Sequence, residues 1–307
     1  MIFLNQLFCM KTIIMSQQRF QHIFLIGTSS LKGVSDTLNL LINHLKELSV
    51  SVTFEERTAT RYFITHRDTA EIDNLPKNID LIIVVGGDGS MITAAHTALT
   101  NQIPILGINR GRLGFLTDIS PNAMDDINNI LHGQYLTETR SFLAATINNQ
   151  KERPILALND LVLTPTDTTH MIEFETRVNN ELLYHQCADG MICATPTGST
   201  AYALSGGGPI VQPGLDATVL VPMFPHTLSS RPIVIPANGN ISLYIEPSNT
   251  KSPCLCNDGI SRINVDPGST IHIRKHSQTL QLIHPCNYNY FETLRTKLGW
   301  EKQASRR

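Results

Sequence analysis

The chain has 307 residues, with 24 Lys and Arg against 26 Asp and Glu, a formal net charge of −2 and 41% hydrophobic residues. That length is comfortable for two domain cores. So balanced a charge excludes bulk attraction to nucleic acid or an anionic membrane surface, and no apolar run reaches the roughly 18–20 residues of a membrane span. Met1–Met15 is apolar enough to resemble a signal peptide, but Lys11 follows the apolar residues and no small-residue cleavage site appears. Residues 1–15 therefore read as an extension or a misassigned start, and 1–22 as an extension that need not be ordered. The six cysteines (Cys9, Cys187, Cys193, Cys254, Cys256, Cys286) lack the spacing of a disulfide framework. Cys254-Leu-Cys256 fits alternation on a strand better than a zinc knuckle. The expectation is reduced thiols and a cytoplasmic protein.

In chain order, Ile23–Gly27 reads as a short apolar strand. Ser35–Leu48 reads as a helix, with Leu38, Leu41, Ile42 and Leu45 on one face and Ser35 as N-cap. Val50–Phe54 is a second strand. Leu81–Val85 is unbroken and β-branched, as expected of a strand covered on both faces of a parallel sheet. A helix over Met91–Leu99 capped by Ser90 follows, then a strand Ile103–Ile108 and a helix Pro121–Leu131 capped by Ser120. This alternation predicts an α/β domain with an open parallel sheet over 23–136.

From about Gln134 strands follow one another: Phe142–Ile147, Ile155–Leu163, Met171–Val178, Leu182–Gln186, Met191–Ala194, Ile233–Ile235, Ile241–Ile245, Ile271–Arg274 and Leu280–Ile283. Asn179-Asn180 and His276-Ser277 look like hairpin turns. The expectation is a β-rich domain over 137–285. Helical pattern returns at Tyr288–Leu298 with Gly299 at its end, and 286–307 is assigned to the first domain.

Three segments carry chemistry. Val85-Gly-Gly-Asp-Gly-Ser90 lies between a buried strand and a helix, at the carboxyl end of a parallel strand where such sheets place ligands. Gly86, Gly87 and Gly89 allow backbone N–H groups to approach phosphate oxygens at a helix N-terminus. Asp88 would repel phosphate unless it accepts a hydroxyl proton or holds a metal; otherwise it only caps the helix. Neither a P-loop nor a G-x-G-x-x-G fingerprint occurs. In the second segment, Thr195–Ser199 gathers hydroxyls and glycine that can face a ligand, with Tyr202 one turn on as a surface for a base; a glycine-rich turn is the plainer alternative. In the third, Asn159 and Asp160 interrupt an apolar strand and need partners, either ligand hydroxyls or solvent at a strand end.

Gly86-Gly-Asp-Gly89, Leu106-Gly-Ile-Asn109, Leu113-Gly-Phe-Leu-Thr-Asp118, Asn159-Asp160, Asp189-Gly190 and Thr195-Pro-Thr-Gly-Ser-Thr-Ala-Tyr202 resemble the signature motifs of NAD kinases, in that family's order. Val221-Pro-Met-Phe-Pro-His-Thr-Leu228 and Lys297-Leu-Gly-Trp300 resemble its proteobacterial branch, and the similarity runs from about residue 23 to 300. The resemblance implies the same α/β plus β-rich fold, with the active site in the interdomain cleft. Asp88 would be the catalytic acid acting on the 2′-hydroxyl, and Gly89 its neighbour in the dinucleotide site. NAD-binding positions would be Asn159, Asp160, His170, Asp189, Thr200, Ala201, Tyr202, Ala203, Leu204 and Ser205, with Thr197 and Phe115 behind them. Cys187 stands where relatives can carry a basic residue near the phosphates, so that charge is missing or supplied elsewhere. Cys256-Asn-Asp-Gly-Ile260 lacks the glutamine often found there, leaving Gly259 only a backbone contact.

The resemblance further implies NAD and ATP as substrates, Mg²⁺ or another divalent cation with ligands unassigned, and a homodimer or homotetramer, with no nucleic-acid or membrane partner. A lipid or sugar kinase sharing the Gly-Gly-Asp-Gly loop and a non-catalytic NAD(P)-binding regulator are the competing readings. The first would want an apolar or basic membrane-binding segment, and the second the loss of Asp88.

Overall fold

The computed structural model describes residues 20–27, 32–65, 67–111, 114–148, 153–167 and 170–300. The expectations for residues 1–15 and Cys9, most of those for the 1–22 extension, and Leu113 of the Leu-Gly-Phe motif lie outside the described residues. The chain divides into two compact units, 1–139 with 280–307, and 140–279.

The first unit opens with β1 (His22–Ile26), α1 (Val34–Glu47), β2 (Ser51–Glu55), α2 (Glu56–Arg61), β3 (Asp68–Ala70), β4 (Leu81–Gly86), α3 (Asp88–Asn101), β5 (Ile105–Asn109) and α4 (Met124–Leu131). Its strands run parallel in the order β3-β2-β1-β4-β5, with Leu25 opposite Ile83 and Val84 opposite Gly107. All six residues of β4 are buried, which accounts for its unbroken apolar run. Val34, Leu38, Leu41 and Leu45 turn one face of α1 onto this sheet.

All three helix starts differ from the sequence reading. Gly33, left-handed at φ 86°, takes the N-cap position of α1, so Ser35 lies inside the helix. Gly87 takes that place for α3, its carbonyl accepting from Ser90 and Met91, so Ser90 is a helical residue. At α4 the N-cap position falls on Ala123 and Ser120 contributes only its carbonyl, which accepts from the Ala123 amide. In each case backbone geometry replaces the side-chain cap that composition favours.

The second unit contains most of β6 (Leu136–Ile147), then β7 (Ile155–Ala157), β8 (Asp160–Thr164), β9 (Ile172–Val178), β10 (Glu181–Ala188), β11 (Gly190–Ala194), α5 (Tyr202–Ser205), β12 (Ala217–Met223), β13 (Ile233–Pro236), β14 (Ile241–Ile245), β15 (Cys254–Asn257), β16 (Ser261–Asn264) and the first part of β17 (Thr270–His284). One antiparallel sheet has the order β13-β12-β11-β8-β15-β16, and β10, β9, β14 and β17 form a second antiparallel run. Leu161, Leu163, Cys193, Leu220 and Leu255 from the first meet Phe174, Leu243, Ile271 and Ile273 from the second in one buried core. Asn179 and Asn180 make the β9–β10 turn with φ 53° and 68°, the left-handed pair a two-residue hairpin demands.

Two strand expectations are corrected. Ile155–Leu163 is two strands, broken at Leu158-Asn159. His276-Ser277 is no turn: β17 runs continuously through it, pairing with β14 at Ile271 and Ile273 and with β5 at Leu282. Its middle is polar because Ser277 and Gln278 are exposed, and so it mimics a turn in composition. The last helix, α6 (Tyr290–Leu298), belongs to the first unit; Asn289 caps it by accepting from the Phe291 and Glu292 amides, and Gly299 ends it at φ 69°. No described helix is long and apolar enough to cross a membrane.

Candidate active site

Asp88 is the first residue of α3, and its side chain ignores its own helix. Its Oδ2 accepts from the Phe115 amide at 2.9 Å and from Lys297 Nζ at 2.8 Å. Its Oδ1 accepts from the Leu116 amide at 3.1 Å and, more weakly, from the Thr117 hydroxyl at 3.4 Å. A mere helix cap would bond its own first-turn amides, so the capping alternative fails. Burial alone would raise its pKa, but Lys297 and the two amides outweigh that and hold Asp88 below the ordinary carboxylate value.

The loop reaches Asp88 because residue 114 is glycine. A Cβ there would lie 2.0 Å from Asp88 Oδ1 and 2.3 Å from Thr117 Oγ1. Asn109 pins the loop by donating to the Thr117 carbonyl at 3.1 Å and hydroxyl at 3.2 Å. Behind it, Asp118 meets buried His284 at 2.8 Å, with Glu138 3.3 Å from the other ring nitrogen and Tyr288 stacked on the ring. Gly87 and Gly89 differ from Gly114: a Cβ on either meets nothing within 4 Å. Internal packing does not require those two glycines, and the space over their backbone is open. Lys297 lies 4.3 Å above the Phe115 ring.

In the second unit the structure brings Asn159 and Asp160 against Thr195–Tyr202. Asp258 organises the break between β7 and β8, its carboxylate accepting from the amides of Leu158 at 2.8 Å, Asn159 at 2.7 Å and Asp160 at 3.1 Å. Those donors are thereby diverted from a β-ladder, which is why the strand is interrupted. The Asn159 carbonyl accepts from the Thr195 amide at 2.8 Å, and a Cβ at Gly198 would sit 2.0 Å from the same oxygen. Buried Asp160 accepts from the Tyr202 amide; burial first, then the Asp258 charge, push its pKa up to about 7.

The hydroxyls of this segment do not all face outward as expected. Thr195 bonds the Leu158 carbonyl, and Ser199 joins Pro196 and Val211; both are buried structural groups. Thr197 accepts from buried Arg140 at 3.3 Å, and Ala203 lies within the core beside Ile192 and Val211. Thr200, Ala201 and Leu204 are half-buried, Ser205 is exposed, and Tyr202 is 49% exposed. His170 and Cys187 line one cavity of about 230 Å³, with Glu173 and Lys251. Asp189 is half-buried at the β10–β11 junction. Sequence reasoning passed over Asp258, Lys297, Gly114 and Arg140. The first three sit in quoted motifs, but an Asp-Gly turn, a lysine in a helix's last turn or a loop glycine is ordinary without its distant partner.

A Gly-Gly-Asp-Gly loop at the end of a buried parallel strand, an ionised carboxylate and a β-rich second unit define a phosphotransferase class. The family model of the ATP-NAD kinase N-terminal domain matches residues 33–135, and that of the ATP-NAD kinase C-terminal domain matches 158–285. A protein named NAD kinase from Coxiella burnetii is 50% identical over 95% of this chain and 99% of its own length. One from Ectopseudomonas mendocina is 46% identical over 92% and 97%. A crystal structure of yeast NADH kinase complexed with NADH shares the fold at TM-score 0.81 and 24% identity, covering 92% of this chain and 89% of that one. An NAD kinase from Archaeoglobus fulgidus in complex with ATP does so at TM-score 0.69 and 24% identity, covering 90% and 99%. This chain belongs to the NAD kinase family and is a phosphotransferase.

Proposed function

We propose that the protein transfers the terminal phosphoryl group of ATP to the 2′-hydroxyl of the adenosine ribose of NAD, giving NADP and ADP. The observation that carries this reading is Asp88, an ionised carboxylate aimed by two backbone amides beside two glycines whose Cβ positions are open. The backbone of Gly86, Gly87 and Gly89 takes the donor phosphates. The acceptor O–H proton passes to Asp88 as the oxygen bonds to the γ-phosphorus and the bridging bond to ADP breaks. Its depressed pKa makes Asp88 a weak base, which suits a transfer in which positioning and charge matter more than early proton removal. Asn159 and Asp160 hold ribose hydroxyls and Tyr202 stacks on a base. Phe115, Gly89, His170, Cys187, Asp189, Thr197, Thr200, Ala201, Leu204 and Ser205, with the Ala203 backbone, complete the NAD contacts.

A divalent cation such as Mg²⁺ would supply charge neutralisation on the donor phosphates. Among the described residues no three His, Cys, Asp or Glu side chains cluster to hold one, and Asp88 is the carboxylate at the loop that would hold it. The expected setting is the cytoplasm, as a homodimer or homotetramer.

The test is incubation with NAD, ATP and Mg²⁺, with product read by an NADP-specific dehydrogenase. Activity should vanish with EDTA, and Asp88→Asn should lower kcat by about 10²–10⁴-fold with substrate affinities within a few-fold. Phosphorylation of diacylglycerol or a sugar phosphate, with none of NAD, would overturn the reading.

A further inference from the structure

An ionised carboxylate offers about four lone-pair sites, and in Asp88 all four are engaged: Oδ2 by Phe115 and Lys297, Oδ1 by Leu116 and Thr117. A carboxylate so closed cannot accept a proton from an incoming hydroxyl until one contact leaves. The amides cannot leave cheaply. They belong to a loop fixed by Asn109 at Thr117, by His284 at Asp118, and by the Ile119 carbonyl accepting from the Asn109 amide at 2.8 Å. The Thr117 hydroxyl is tied to Asn109 as well. Lys297 alone is held by a long flexible stem, on the last turn of α6, with its side chain 29% exposed.

A second observation says where the ammonium goes. Gly87 and Gly89 open a phosphate approach, yet no lysine follows them in the loop. Arg110, the first arginine after the loop, donates to Thr37 and packs against Gly33. The Lys297 ammonium rests over Phe115 at 4.3 Å, an aromatic face that keeps a cation close while it changes partners. A triphosphate carries more negative charge than one carboxylate and competes for it directly.

We propose that Lys297 is an exchangeable cation: it closes Asp88 in the free protein and passes to the donor phosphates when nucleotide binds, opening Asp88 Oδ2 to the acceptor hydroxyl. This rests on the assignment of the Asp88 loop as the donor site. It makes Lys297 a donor-binding residue as well as a positioning residue for Asp88, and it couples the order of events: ATP arrival frees the carboxylate.

The experiment is calorimetric binding of ATP with Mg²⁺, without NAD, to the full chain and its Lys297→Met and Lys297→Arg variants. Loss of one charge-assisted contact should weaken ATP binding by about 10–100-fold in Lys297→Met, while Lys297→Arg stays close to wild type and NAD binding is not weakened in either. ATP affinity within twofold of wild type in folded Lys297→Met overturns the proposal. Should that variant not fold, reductive ¹³C-methylation of the wild type gives a second readout, the Lys297 resonance being the one absent from Lys297→Arg. It should shift on adding ATP and not on adding NAD; a resonance unmoved by ATP refutes the exchange. Lys297-dependent ATP binding with no NADP formed would remove the acceptor assignment and leave the exchange standing. NADP formation with Lys297-independent ATP binding would do the reverse.

Discussion

Replacing Asp160 with Asn should make the protein more stable at neutral pH while damaging its NAD site. Asp160 is only 5% exposed, and burial, followed by the neighbouring Asp258 charge, moves its pKa from 3.8 to about 7. Between those values the folded protein keeps a proton that the unfolded chain has released, so stability falls as pH rises. The contribution is fully present below the unfolded value and lost as pH passes through the folded one. At about 1.4 kcal/mol per pH unit the total is about 4 kcal/mol as an upper figure, and about 2–4 kcal/mol is the expected loss. Asn keeps an oxygen for the Tyr202 amide and never ionises, so Asp160→Asn should lack this slope. The assay is urea unfolding of both proteins at fixed pH between 4.5 and 8.5, comparing transition midpoints. Wild type should lose ground steadily to the variant up to about pH 7 and no further above it. Parallel curves across that range would show that Asp160 ionises freely and that its burial beside Asp258 has been misread. Weaker NAD binding in the stabilised variant would mark the strain as belonging to the site.

Gly114→Ala should lower kcat by about 10²-fold or more through displacement of Asp88, because the new methyl would lie 2.0 Å from Oδ1; steady-state kinetics beside a melting curve check this, and unchanged kcat would refute it. Tyr202→Ala should weaken NAD binding by about 1–3 kcal/mol if the ring stacks on a base, with ATP affinity little changed, and titration with each ligand decides it. His284 is buried between Asp118 and Glu138 and faces Tyr288; burial lowers its pKa, but the two carboxylates more than offset that and raise it above 6.5. Its charged form therefore stabilises the fold below that pH and ceases to do so as pH rises through the raised value. His284→Gln should accordingly lower the melting temperature more at pH 6 than at pH 9, and an equal loss at both would refute the charged pairing.

Much of this was legible in the chain alone. The apolar run of β4, the glycine loop behind it, the Asn179-Asn180 hairpin and the Gly299 stop are encoded within a few residues of where they act. Local propensity and periodicity report on that range. The motif order in turn located the family and Asp88. What tertiary structure decided lies beyond it. Asp88 is held by an amide 27 residues away and a lysine 209 residues away. The β7–β8 break is made by Asp258, 98 to 100 residues downstream of the amides it binds. Thr195 and Ser199 look like ligand hydroxyls until their buried carbonyl partners are seen, and the polar centre of β17 reads as a turn until both its ends are paired. Such partnerships have no spacing to recognise. A polar side chain in sequence announces only that it needs a partner, and the fold alone determines whether that partner is backbone, another charge or a substrate.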